Sequence, residues 1–241
     1  MERIYAMHEF QKGFVQGVSI ALGYLSVSFS FGILAVQSGL TVWQAVLISV
    51  TNLTSAGQVA GVGLIAEHAA FAELFLAELV INIRYALMTL ALSQKTDRSF
   101  RLPQRLLTSY GVTDEIFAVA SLQPEPLKPK YMYGLILISF LGWTCGTWLG
   151  AAAGTLLPVK LTNALGIALY GMFLAIILPP ARKSRGILAV VLIAAAISVF
   201  LKFAVTSLSG GFAMIIASVI AAVIGAAFFP ADDAESKEAD A

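Results

Sequence analysis

Residues 13–66 read GFVQGVSIALGYLSVSFSFGILAVQSGLTVWQAVLISVTNLTSAGQVAGVGLIA, and no Asp, Glu, Lys or Arg interrupts them. A second charge-free run extends from Tyr131 to Val159. About 20 apolar residues span a hydrocarbon core, so both runs are long enough to cross one. The rest of the chain has the same character. Of 241 residues, 59% are hydrophobic and only 12% are charged, and the mean hydropathy is +0.85. A soluble domain carries about 25% charged residues. An all-α, polytopic membrane helix bundle is therefore expected, embedded in a lipid bilayer.

Several function classes fall away at once. The net charge is +1 and no basic stripe is present, so nucleic acid is not an expected partner. Cys145 is the single cysteine and cannot form an internal disulfide. His8 and His68 lack metal-ligand spacing, and neither a metal nor a cofactor is expected. The first apolar run is too long for the core of a signal peptide and has no A-x-A site at its end. It reads as a retained helix.

Working outward, seven spans are expected: Gly13–Val36, Thr41–Ala66, Ala69–Leu92, Tyr131–Leu157, Leu161–Leu178, Gly186–Ser207 and Gly211–Phe229. The stretch 93–130 is polar but holds a shorter apolar piece, Leu106–Leu122, readable as a half-helix or an imperfect eighth span. Residues 1–229 then form one transmembrane domain, and residues 230–241 an acidic, disordered tail. Lys95, Arg98, Arg101, Arg105, Lys128 and Lys130 place the central stretch in the cytoplasm, and Arg182, Lys183 and Arg185 place the later loop there too. That puts the C-terminus inside. Three spans ahead of the central stretch put the N-terminus outside, against Arg3 and Lys12, and a re-entrant second or third segment would reverse it. Three spans on either side of the central stretch fit a 3+3 inverted repeat with one extra C-terminal helix, a recurring plan of secondary transporters.

Four stretches carry chemistry or close packing. Gly142, Gly146, Gly150 and Gly154 recur every four residues and bare one helix face to another backbone. The second run holds TNLTSAGQVAGVG, where Asn52, Ser55 and Gln58 accompany three glycines. Two readings stand open: polar glue between helices, or a broken helix offering N–H groups to a carboxylate at mid-membrane. In the third run, Arg84 costs about 2.5–3.5 kcal/mol near a helix centre, so it should face protein or water. Glu78, Asn82 and Tyr85 share a face, whereas Arg84 points about 160° away from Asn82. Glu73 is near an end and can reach the interface.

In YGVTDEIFAVAS, residues 110–121, the acids Asp114 and Glu115 follow Thr113. A threonine N-cap with acids in the first turn is an ordinary helix start. It does not explain why an apolar helix hangs in a basic loop. A re-entrant segment, with its acids set against Arg84, accounts for both.

FSFGILAVQSGL (29–40), TSAGQVAG (54–61), INIRYALM (81–88) and GVTDEIFAVA (111–120), in that order and spacing, resemble the AzlC family of bacterial branched-chain amino acid exporters. The matching positions are Gly32, Gln58, Asn82, Arg84, Thr113, Asp114 and Glu115. The first helix has serines where many relatives have prolines, and the second reads TSAGQ where many have AGAxQ. The resemblance implies an ion-gradient-driven exporter of small amino acids in the bacterial inner (plasma) membrane, working with a small AzlD-like membrane subunit. The expected substrate contacts are Asn52, Ser55, Gln58, Asn82 and Arg84, with Asp114 and Glu115 coupling to an ion. A permease subunit of an ATP-driven transporter is the alternative. An enzyme is not expected, because no span holds a histidine or a metal cluster to serve Ser209 or any other nucleophile.

Overall fold

The computed structural model describes residues 2–158, 160, 171, 173–174, 177–205 and 208–229. Among these the fold is all helical: α1 (Glu2–Gln37), α2 (Val42–Thr51), α3 (Ser55–Ala66), α4 (Phe71–Gln94), α5 (Leu102–Tyr110), α6 (Asp114–Ser121), α7 (Pro129–Gly154), α8 (Arg185–Ala204) and α9 (Gly210–Phe228). Five of these, α1, α4, α7, α8 and α9, are long and apolar enough to cross a bilayer. The expected span Leu161–Leu178 lies almost wholly outside the described residues, as does the acidic tail. The chain forms two compact units, residues 1–62 with 81–169, and residues 63–80 with 170–241.

The first unit is built on α1 against α7. A Cβ added to Gly142 would lie 2.5 Å from the Ala21 carbonyl oxygen, and one on Gly146 would lie 2.5 Å from that of Leu25. Gly150 meets the Phe29 backbone and Gly154 meets Ile33. Gly13, Gly17 and Gly32 answer from α1, against Tyr131, Leu135 and Thr147. The glycine ladder is thus a packing face. Contacts rise together along both helices, so α1 and α7 run parallel.

The second run does not cross. α2 starts from a Thr41 cap closed by Gln44 and descends until Ser49 reaches Thr147. Asn52 then leaves helical geometry. α3 restarts at Ser55, and Val62 returns to the cluster of Phe31, Ala35, Ala45 and Ala151 beside which α2 began. α2 and α3 are a re-entrant hairpin with its tip at residues 52–54. The piece expected at Leu106–Leu122 folds likewise, from the opposite side. α5 rises from Phe100, Gly111 ends it against Ile136, and α6 descends until Ser121 accepts from Lys95 and Gln123 donates to Gln16. A Cβ on Gly111 would strike the Ile136 side chain, so the tip sits tight on α7.

α4 closes the unit. Leu92 joins Ile20, Tyr131 and Met132 in one core, and Thr96 pairs with Leu127 just ahead of α7. The end of α4 therefore lies at the start of α1 and α7, and α4 runs antiparallel to both. Two sequence-based expectations change. The first helices of the two halves, α1 and α7, are parallel, so the halves are not a 3+3 inverted pair. With the second run re-entrant, the start of α1 lies on the same side as the basic central stretch, which removes the conflict with Arg3 and Lys12.

In the second unit α8 and α9 are antiparallel, with Gly186 against Phe229 and Gly225 against Val190. Glu73 is 4% exposed. Instead of reaching the interface, it accepts from the Gly211 N–H at 2.9 Å and from the Ser209 hydroxyl. It caps α9, which gives Ser209 a structural partner.

Gly146→Leu should lose most of its folded yield in detergent, since forcing side-chain atoms into packed backbone costs more than the roughly 1–3 kcal/mol of ordinary overpacking. Gly63→Ala, where a Cβ meets nothing within 4 Å, should express normally. Equal yields would dissolve the packing argument. In a Cys145→Ala background, His8→Cys should be labelled from the same membrane side as Arg98→Cys; labelling from opposite sides would show that the second run crosses.

Candidate functional site

The two hairpin tips meet at about half the length of α7, and the side chains around them form one connected cluster. Arg84, near the middle of the 24-residue α4, places Nη2 2.9 Å from Oδ2 of Asp114 at the start of α6. The same Arg84 Nη2 donates to the Tyr85 hydroxyl at 3.2 Å, and its guanidinium stacks over the Tyr85 ring at 4.9 Å. Tyr85 in turn donates to Thr54 Oγ1 at 3.3 Å. Thr54 is the residue ahead of α3 and accepts the Gly57 N–H. One chain of contacts therefore joins α6, α4 and α3.

A second chain joins α6 to α1. The Tyr24 hydroxyl lies 2.5 Å from Thr113 Oγ1 and 2.6 Å from Glu115 Oε2. A phenol has one proton, and a carboxylate only accepts. Tyr24 therefore donates to Glu115 and accepts from Thr113, whose oxygen also takes the Ile116 N–H at 3.3 Å. Thr113 is the N-cap, as its position before two acids predicts. Tyr24 is fixed edge-on to Trp143, with centroids 5.1 Å apart. Tyr110, at the end of α5, donates to the Val50 carbonyl of the first hairpin. That bond ties tip to tip.

The Arg84 and Asp114 side chains are 44% and 38% exposed. A charge pair this open at mid-span cannot face hydrocarbon and must border water, a polar ligand or another protein surface. Two half-helices, α3 and α6, begin at the cluster with their N-termini toward it, so the partial positive charge of each helix start faces the same small space.

The residues singled out in the sequence separate into two groups. Asn52, Ser55, Asp114 and Glu115 stand at the tips, and Arg84 reaches Asp114 from α4. Asn82, half-buried on the same unbroken helix, lies about 160° around it from Arg84 and is not brought to that pair. Gln58 was expected to touch substrate and does not stand with them. It is fully buried, its Oε1 accepts from Trp143 Nε1 at 2.8 Å, and its Nε2 donates to Ser49 Oγ at 2.8 Å. An indole N–H only donates, which fixes the orientation of the amide. Ser49 continues to Thr147 at 2.6 Å. Gln58 is thus a tie holding the hairpin to α7, its polar ends spent on protein.

Sequence reasoning missed Tyr24 and Thr147. For Tyr24 the signal was there: a phenol inside a charge-free helix needs a hydrogen-bond partner. Thr147 carried none, being one hydroxyl in a glycine-rich face.

The family model described as AzlC protein matches residues 19–157, a span that holds both hairpins. An uncharacterized membrane protein of Archaeoglobus fulgidus is 32% identical over 175 residues, which cover 70% of this chain and 75% of that one. An uncharacterized membrane protein of Helicobacter pylori is 28% identical over 157 residues, 62% of this chain and 68% of that one. The inner membrane protein YgaZ of Escherichia coli is 24% identical over 185 residues, 74% of this chain and 76% of that one. No solved structure matches the chain.

Arg84→Gln should lower thermal stability by about 0.2–1 kcal/mol, the worth of an ion pair that borders water. Adding Asp114→Asn to Arg84→Gln should restore part of that loss. A double variant no better than the worse single one would mean that the two charges do not act as a pair.

Proposed function

We propose that this chain, which belongs to the AzlC family of membrane proteins, is a secondary transporter that exports branched-chain or similar small amino acids. The observation that carries this reading is the meeting of two re-entrant hairpins around an open ion pair at mid-span. Discontinuous helices with N-termini converging near the bilayer midplane are a recurrent solution for holding anionic substrate groups. Here the start of α3, with Asn52 and Ser55, would take the substrate carboxylate. Arg84 would orient it. Asp114 would receive the ammonium group, exchanging part of its contact with Arg84 for contact with substrate.

Glu115 suits a different task. It accepts from Tyr24, which accepts from Thr113, so its charge state is coupled to how firmly α6 is held on α1. Protonation would turn the charged acceptor of that chain into a weaker neutral one and loosen the second hairpin. A proton gradient would thereby bias one hairpin against the other. The basic stretch 93–130 is assigned to the cytoplasm by its lysines and arginines. The start of α1 goes with it, and the membrane is the bacterial inner membrane.

A small AzlD-like membrane subunit is the proposed partner. On α4, Ile83 and Leu87 are 58% and 66% exposed and offer an apolar surface to that subunit or to lipid. No observation favours the ATP-driven alternative.

The test is amino-acid flux in proteoliposomes, with and without a proton gradient, for the chain reconstituted together with its partner. Glu115→Gln should reach the membrane normally and still exchange substrate, yet lose gradient-driven flux at least tenfold. Asp114→Asn should raise the KM for amino acids by roughly tenfold, the loss expected for a charge-assisted contact. Undiminished flux from both variants at normal expression would return the acids to helix capping.

A further inference from the structure

A cavity of about 520 Å³ lies between the second half of α4 and α5, where Tyr85, Leu92, Phe100, Arg105, Thr108 and Val112 contribute to its wall. Small-molecule sites typically enclose about 300–1,000 Å³. Tyr85 is shared with the tip cluster, being the residue that contacts both Thr54 and Arg84. The cavity therefore runs from the side of the basic stretch up to the hairpin tips.

Three features of the wall constrain what it would hold. Leu92, Phe100 and Val112 present an apolar side. Arg105 is exposed and, among the described residues, carries no ion pair. Thr108 is 8% exposed, yet its hydroxyl has no hydrogen-bond partner. A helical threonine commonly bonds to the carbonyl one turn back, as the neighbouring Ser109 does to Arg105 at 2.7 Å. The Thr108 hydroxyl is shut off from the open space and unsatisfied in the empty protein, so turning about χ1 toward a ligand would gain it a partner without breaking a bond. A ligand meeting all three features is small, carries a carboxylate at one end and is aliphatic at the other.

We infer that this cavity is the loading site, where a small aliphatic carboxylate binds before reaching the tips. Its carboxylate sits at Arg105, its polar head bonds the Thr108 hydroxyl, and its hydrocarbon part rests on Leu92, Phe100 and Val112. This deepens the transport reading and rests on it for the amino group. The cavity's own chemistry accounts for the acid and the side chain.

The experiment measures leucine binding to the purified full-length chain and the KM for leucine flux, for the wild type, Arg105→Gln, Arg105→Lys and Thr108→Val. Arg105→Gln should weaken binding about tenfold or more, with Arg105→Lys in between. Thr108→Val should weaken binding several-fold while raising the thermal midpoint of the ligand-free protein, a combination that a merely structural threonine would not give. 4-Methylpentanoate should compete with leucine, and leucinamide, which lacks the carboxylate, should not. If leucine is transported and every variant keeps the wild-type KM, the cavity is a solvent-filled cleft and the inference fails while the transport reading stands. If no amino acid is transported but 4-methylpentanoate binds in an Arg105-dependent way, the site stands and the transport reading fails.

Discussion

A chain that breaks its helices inside hydrocarbon must find internal partners for the backbone groups it frees, because no water is there to take them. That requirement shapes the first unit. Each hairpin tip is closed by a threonine at the start of the returning helix, Thr54 for α3 and Thr113 for α6. Each threonine is held by a tyrosine from a spanning helix, Tyr85 on α4 and Tyr24 on α1. Without those four side chains the tips would expose bare backbone at a depth where it is costly, and the two half-helices would not start there. The Arg84–Asp114 pair is admitted by the same construction, since the tips leave a polar space for it to face.

The tips could not be placed if the spanning helices were loosely packed. Glycines on α7 let α1 approach until backbone touches backbone, and this contact fixes Tyr24 and Trp143 relative to each other. Gln58 then ties the first hairpin to the same α7 through Trp143 and Ser49. A small-residue interface thus sets the position of the Tyr24 hydroxyl and, through Gln58, anchors the first hairpin, although no glycine belongs to the cluster.

Much of this was legible in the sequence. The charge-free runs gave the helical membrane class, the four-residue glycine spacing gave the packing face, and Thr113 before two acids gave the start of α6. The approach of Asp114 to Arg84 followed from the cost of leaving an arginine unpaired at mid-span. Direction along the membrane normal was harder to read. A run such as 41–66 has the length and apolarity of a full crossing. Only the return of Val62 to the level of Ala45 shows that it turns back. Hydropathy records how much apolar surface a segment has, and a re-entrant hairpin has as much as a span. Gln58 was misjudged for a related reason: a buried amide looks the same in sequence whether its partner is a ligand, an indole or a serine.

The two tyrosine–threonine contacts have a consequence for motion. Both are hydrogen bonds between neutral hydroxyls, and a hydroxyl left without a partner away from water costs about 1–3 kcal/mol. Water or a polar substrate entering the space between the tips removes that cost by taking the tyrosine's place. The tips are therefore fastened by latches that open when something polar arrives to replace them. Because Tyr85 neighbours Arg84 on α4, releasing the first latch alters the surroundings of the charge that faces the second hairpin. The two hairpins therefore feel each other through α4.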